Sequence, residues 1–376
     1  MTKKIDKPVL SYYVNSQRFY NPHAAFLYAA HNCPHEHVYF DVYSSVFDQV
    51  NWTQYPTSSY SDLYRRRALQ IRNKYEKIVV AFSGGTDSTT MLSAFFDNNI
   101  HVDAVYIAYY SDDISYTGCP EKRASWIKKT WPKQSQFTEI LLYDLSIVLD
   151  NRFRDREWLL SQTNAGQTRF NAGVLPCELS EIFGNKYSAA NWALITGNEK
   201  PEISPDNRMA YFVDKTLSPT MNRPYVEFFY LTTDMPEIVV KQAHDLAKFQ
   251  ASGNTDYYQL KRSIGVGGDI ADVNSQNEKL LIRQTNQFLS TIDFSQVSES
   301  LHRLSLAKYN NCMIGLINGY QHLNSRLIKN WSHGLASLQT DSTLIDYMIA
   351  HGYLSSPTQG VQSYNGIHSK RYRLFA

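Results

Sequence analysis

Lys77-Ile78-Val79-Val80-Ala81-Phe82-Ser83-Gly84-Gly85-Thr86-Asp87-Ser88-Thr89-Thr90 is the stretch on which the reading of this chain turns. An apolar, β-branched run stops at Ser83-Gly84-Gly85, and after Thr86 to Thr90 the apolar Met91-Leu92-Ser93-Ala94-Phe95-Phe96 begins. That order predicts a buried strand, a glycine turn and the start of a helix. Such a turn is an anion site, because its N–H groups converge and the helix N-terminus adds partial positive charge. Ser83, Ser88 and Thr89 add hydroxyl donors, and Asp87 can hold a metal ion or cap the helix.

The stretch is not a kinase-type phosphate loop, which needs Gly-Lys followed by Ser or Thr. That tripeptide occurs nowhere in the chain. Ser83 to Ser88 instead match SGGxDS at every fixed position, and this resembles the pyrophosphate loop of the N-type ATP pyrophosphatases. That superfamily includes the synthetase domain of asparagine synthetase, argininosuccinate synthetase, GMP synthetase, the tRNA thiolases and the PAPS reductases. The resemblance implies ATP and Mg²⁺ as ligands and a parallel α/β sheet as the fold. It implies that Ser83, Gly84, Gly85, Thr86, Asp87, Ser88 and Thr89 hold the pyrophosphate. It places Ala81 and Phe82, with Tyr109 or Tyr110, beside the adenosine.

Outward from the loop, strands and helices alternate. Strands are expected at 78–83, 102–109, 138–144 and 192–196, and helices at 60–75, 87–97, 121–131, 146–162 and 178–190. This order predicts a parallel sheet with helices on both faces. Residues 1–58 read as a small aromatic-rich extension with one or two strands within His37 to Phe47. Residues 59–232 read as the pyrophosphatase domain and 233–376 as a mainly helical region, with helices at 236–250, 275–290, 296–330 and 342–352. Asp234 is placed to cap the first of these. The glycine-rich 263–269 reads as a loop.

Ile195-Thr196-Gly197-Asn198-Glu199-Lys200-Pro201-Glu202 forms a second constellation. A strand ends in Thr-Gly and carboxylates follow at once, as Mg²⁺ with its preference for hard oxygen ligands requires. Gly197 allows close backbone approach. The resemblance to asparagine synthetase, whose Gly-and-acid loop faces the pyrophosphate loop, makes Glu199 the partner of Asp87 on the metal; that family's further Gly/Ser-Asp-Glu is absent. On helix 236–250, Glu237, Lys241, His244 and Lys248 share a face. Lys241 is the candidate to neutralise phosphate or deprotonate an amine, against the plainer reading of a solvated face.

Composition narrows the rest. Of 376 residues, 43% are hydrophobic and 14% aromatic, ample for a folded core. Lys and Arg number 37 against 35 Asp and Glu, so nothing forces a polyanionic partner, and a small-molecule co-substrate is the expectation. Arg65-Arg66-Arg67 and Lys370-Arg371-Tyr372-Arg373 leave nucleic acid as a minority reading. No membrane segment or leader is apparent in the opening residues, and the 4 cysteines (33, 119, 177, 312) form no CxxC; a cytoplasmic protein follows as the default. Cys33-Pro34-His35-Glu36-His37 is too compact to close a tetrahedral metal shell alone and reads as a loop.

Together these features lead to an expectation of adenylylation of a carbonyl or carboxylate, followed by C–N bond formation. Thr2 stands where a glutamine-dependent asparagine synthetase exposes its cysteine, so the amine is expected free or supplied in trans. Two alternatives stay open: thiolation or modification of a nucleobase, in which Cys119 and Cys177 would act, and an ATP-binding regulator without turnover.

Overall fold

The computed structural model of the chain describes residues 10–20, 22–109, 120–144, 186–187, 191–197, 200–214, 225–253, 342–353 and 367–375. The chain enters through a small antiparallel sheet, β1 (Ser11–Val14), β2 (Gln17–Phe19) and β3 (Tyr39–Asp41), in the order β2-β1-β3. Asn15 and Ser16 both have positive φ (44° and 68°), as a two-residue hairpin turn matched to strand twist requires. Helices α1 (Pro22–Asn32) and α2 (Ser44–Phe47) flank the sheet. Helix α3 (Tyr60–Lys74) follows, capped by Ser59, whose Oγ accepts from the Asp62 N–H at 3.1 Å.

The α/β part then runs β4 (Lys77–Ala81), α4 (Thr86–Phe96), β5 (Ala104–Tyr109), α5 (Pro120–Thr130), α6 (Pro132–Ser135), β6 (Glu139–Asp144) and β7 (Trp192–Thr196). Strands β8 (Glu202–Ile203) and β9 (Met209–Tyr211) form a hairpin, and β10 (Val226–Phe228) returns to the main sheet. Helices α7 (Glu237–Ala251) and α8 (Ser342–Ala350) and strand β11 (Tyr372–Arg373) complete the described elements. Strands β4, β5, β6, β7 and β10 pair in parallel throughout, in the order β10-β7-β4-β5-β6. The chain winds outward from β4 to one edge, then returns beside β4 and winds to the other. The reversal between β4 and β7 opens a crevice at their carboxyl ends, where open α/β sheets bind ligands.

The apolar runs of the sequence suit this sheet because both faces are covered. Ile78, Val80, Val105, Ile107, Ala193 and Ile195 face α3, α4 and α5 in one buried cluster. Val79, Ala104, Tyr106, Leu194 and Val226 form the second face, against which Tyr187 packs. Each valine, leucine or isoleucine among them, buried from water, contributes roughly 1.5–3 kcal/mol. The helices expected at 146–162 and 178–190 lie outside the described residues, apart from Lys186 and Tyr187, and those at 275–290 and 296–330 lie outside them entirely.

A third buried cluster joins residues far apart in sequence: Tyr12, Phe26, Phe40 and Phe47 from the start of the chain, Val239 and Ala243 from α7, Leu344 and Met348 from α8, and Ile367, Tyr372 and Leu374. Trp52 stacks on Tyr372 with ring centroids 4.4 Å apart. Residues of the expected N-terminal extension and of the expected C-terminal region therefore share a core.

Four local expectations are corrected. The strand placed at 78–83 stops at Ala81, because Ser83 is engaged with the turn that follows. The sheet does not end at β7: β10, a three-residue strand with the buried Glu227 in its middle, lacks an apolar run of readable length. Asp234 does not cap α7, whose N-cap is Pro236, because Lys74 at 2.8 Å draws its carboxylate away. Strands also occur after residue 232, since β11 pairs with β9.

Candidate phosphate and nucleotide site

The turn after β4 is built by its own hydroxyls. The Ser83 N–H donates to Ser88 Oγ at 3.2 Å, Ser88 Oγ donates to the Gly85 carbonyl at 3.1 Å, and the Gly85 N–H donates to Ser83 Oγ at 3.3 Å. Gly84 has φ +81°, and a β-carbon there would stand 2.9 Å from Arg123 Cδ. Conformation therefore favours glycine at this position, and a β-carbon would also displace the Arg123 side chain. Gly85 is the N-cap of α4 and supplies no side-chain cap. The helix thus opens towards the crevice without a side-chain oxygen of its N-cap over its first turn, the arrangement that suits an external anion.

Asp87 faces a cation with its carboxylate. Its Oδ1 meets Lys200 Nζ at 2.6 Å, and its backbone carbonyl accepts the Tyr230 hydroxyl at 2.8 Å. The Lys200 ammonium lies 4.5 Å from the centroid of the Tyr230 ring, within cation–π range. Burial, first of all, pushes the Tyr230 phenol far above its ordinary range, with Tyr64 and the Asp87 charge adding to it. The hydroxyl therefore stays protonated and remains a donor to Asp87.

Gly197 sits where the chain leaves β7, and a β-carbon there would come 3.5 Å from both the Asp87 carbonyl oxygen and the Tyr230 ring. Those are ordinary contact distances, so packing against the first turn of α4 does not itself demand glycine at Gly197. The preceding Thr196 is 7% exposed, and its Oγ1 is buried without a hydrogen-bond partner among the described residues. A buried hydroxyl at the switch point of the sheet is a free position for a ligand. Glu199 lies outside the described residues. Glu202, the other acid of that segment, pairs with Tyr211 across the β8–β9 hairpin.

The third wall lies beyond β5. The backbone N–H of Phe82 donates to the Tyr106 carbonyl at 2.8 Å, and its ring is buried against Trp126, 6.0 Å between centroids. Ala81 and Tyr109 are half-buried at the strand ends. Arg123 of α5 reaches over the turn, donating to the Ser83 carbonyl at 3.1 Å and the Ala108 carbonyl at 3.2 Å. Sequence reasoning missed Arg123, Tyr230 and Lys200 as site residues. Only Lys200 carried a local signal, its place in the segment after β7.

Lys241 stands elsewhere from the turn. It is 6% exposed, donates to Tyr55 Oη at 2.6 Å and the Pro56 carbonyl at 3.0 Å, and lies over the rings of Tyr55 and Tyr60. Tyr60, Tyr64 and Tyr230 form a row of rings, 5.6 Å and 5.4 Å between successive centroids, that joins this region to Asp87. The solvated-face reading of α7 is corrected: Lys241 and His244 are buried, and only Glu237 and Lys248 remain open. Tyr55 and Trp52, from the segment before α3, cover them.

Arg371 and Arg373 of the second basic cluster are exposed, and other members of the two clusters are paired. Arg67 is fully buried against Glu227 at 2.7 Å, Arg65 and Arg66 pair with Asp62, and Lys370 pairs with Asp48. Among the described residues no group of three His, Cys, Asp or Glu side chains converges, and no helix is long and apolar enough to cross a membrane. The Asp87 carboxylate with the Ser83, Ser88 and Thr196 hydroxyls is a hard-oxygen donor set, which suits Mg²⁺ held chiefly through phosphate and one or two carboxylates. No family model matches the chain, and no curated protein matches it.

Proposed function

We propose that the protein is an ATP pyrophosphatase that adenylylates a substrate carbonyl or carboxylate and forms a C–N bond. The observation that carries the reading is the Ser83-to-Ser88 turn with its uncapped helix, standing at the switch point of a parallel sheet in the order β10-β7-β4-β5-β6. In this reading the first-turn N–H groups of α4 and the Ser83, Ser88 and Thr89 side chains receive the pyrophosphate. Ala81 and Tyr109 border the adenosine. Asp87, with Glu199, is the metal ligand. Bound Mg²⁺ would offset the negative charge of the polyphosphate.

The chemistry is displacement at phosphorus. A substrate oxygen attacks the α-phosphorus, the bond to the bridging oxygen breaks, and pyrophosphate leaves with the electron pair. A nitrogen nucleophile then adds to the activated carbon and AMP departs. The protein's part is orientation and fixed donors aimed at the leaving group.

The test is product analysis with α- and γ-labelled ATP and Mg²⁺ over a panel of acids, amines and nucleosides. AMP with pyrophosphate supports the reading, and the co-substrate that raises the rate names the substrate class. ADP with phosphate overturns it.

A further inference from the structure

Lys200 reaches across the crevice from the chain that leaves β7. Its Nζ is held from two sides, by Asp87 Oδ1 at 2.6 Å and by the Tyr230 ring face at 4.5 Å. The side chains of Lys200 and Asp87 are 13% and 30% exposed, so the pair is partly desolvated rather than a surface contact. The neighbouring backbone is fixed, since Gly197 packs on the Asp87 carbonyl and Tyr230 bonds to it. The lysine ammonium stands on the carboxylate that the proposed reaction gives to a divalent cation, and the two positive charges repel each other at that separation.

We propose that Lys200 is a polyphosphate-binding residue that Asp87 holds in reserve: a divalent cation taking Asp87 releases the Lys200 ammonium to the nucleotide's phosphates. The inference rests on the nucleotide reading of the site. Charge balance drives the exchange. A dication replaces a monocation on Asp87, and the released ammonium gains charge-assisted hydrogen bonds to phosphate oxygens. Lysine suits the role because it is a compact charge on a flexible stem. Metal and nucleotide then favour each other's binding, and the coupling must be reciprocal.

The experiment measures equilibrium binding of α,β-methylene-ATP to the full chain, with Mg²⁺ and separately in EDTA. The forms compared are wild type, Asp87→Asn, Lys200→Met and the double variant. Wild type is expected to need Mg²⁺. Asp87→Asn frees Lys200 and should bind the analogue in EDTA roughly tenfold tighter than wild type does. Adding Lys200→Met should abolish that gain, whereas adding Lys200→Arg should keep most of it. Melting curves identify a variant that fails to fold, and Lys200→Gln then replaces the methionine form. If the double variant binds in EDTA as tightly as Asp87→Asn, Lys200 does not reach the phosphates and the inference is wrong, with the nucleotide reading intact. If wild type with Mg²⁺ does not bind the analogue at all, the nucleotide reading fails and the inference with it.

Discussion

The guanidinium of Arg67 and the carboxylate of Glu227 meet at 2.7 Å with no exposure of the arginine and 7% of the glutamate. Arg67 also donates to the Phe228 and Phe229 carbonyls, at 2.7 Å and 3.3 Å, and Tyr75 donates to Glu227 at 2.5 Å. One arginine of α3 thus ties down the short edge strand β10 and the turn that carries Tyr230. Removing Arg67 leaves the buried Glu227 charge to Lys74 at 3.4 Å, at a cost of up to about 3–5 kcal/mol. Arg67→Met should therefore lower the urea midpoint sharply, and the paired change Arg67→Met with Glu227→Leu should recover most of the loss. Equal destabilisation by the single and double variants would show that the pair is not the source.

Gly84 and Gly85 should respond differently to alanine. At Gly84, φ +81° and the 2.9 Å approach of Arg123 oppose a β-carbon, for about 1–3 kcal/mol of strain and a distorted turn. Gly85 has φ −78° and its nearest atom at 3.5 Å, so its cost is at most about 1 kcal/mol. Thermal melts with ATP-analogue binding check this. Gly84→Ala should lose both stability and affinity, and comparable effects at the two positions would contradict the geometry.

Asp87→Ala should abolish turnover, by about 10²-fold or more, while leaving the far-UV circular dichroism and the cooperative melt in place. The reason is that the N-cap of α4 is Gly85, and the Asp87 carboxylate faces Lys200. Loss of the folded state would assign it a structural role instead.

Asp103 gives stability an acid limit. Burial pushes its carboxyl up, but Lys77 at 2.8 Å, Arg72 at 2.9 Å and the Ile78 N–H at 2.9 Å outweigh burial and hold it below the usual range. A lowered folded pKa means that the stabilisation is complete above the unfolded value near ~3.9. It is lost as pH falls through the folded value. Asp103→Asn should cost about 2 kcal/mol at neutral pH and progressively less below pH ~4. A gap between the two proteins that stays constant under acid would refute the account.

His244 acts at milder pH. Burial first, and then the Lys248 charge, lowers its pKa, although its bond to the Trp52 carbonyl at 2.8 Å works in the opposite direction. The folded protein keeps the imidazole neutral, with Nε2 donating to Trp52. Stability from this group is therefore full above the unfolded value near ~6.5 and falls as pH drops below it. Chemical denaturation between pH 7.5 and 5 should follow that slope in wild type and lose part of it in His244→Gln. A flat wild-type profile would exclude the effect.

Legibility from sequence followed the range of the interactions. The turn at Ser83 to Ser88 is shaped by bonds among its own residues, so strand, turn and helix start were readable within two residues. The β7 run Trp192 to Thr196 was readable because both its faces are buried. Arg67 looked like a surface charge because the groups that bury it, Glu227, Phe228 and Phe229, arrive from the far edge of the sheet. Lys241 and His244 looked solvated because Tyr55 and Trp52, which cover them, precede α3.

Local chemistry thus set the strands, the glycine turn and the helix start before any packing was known, since 2.0- and 3.6-residue periodicity and positive φ act over a few neighbours. Packing alone chose which carboxylate meets which cation. It placed Lys200 on Asp87, Arg67 on Glu227 and Tyr230 beneath the loop, because an ion pair depends on distance in space and burial, to which separation along the chain is no guide.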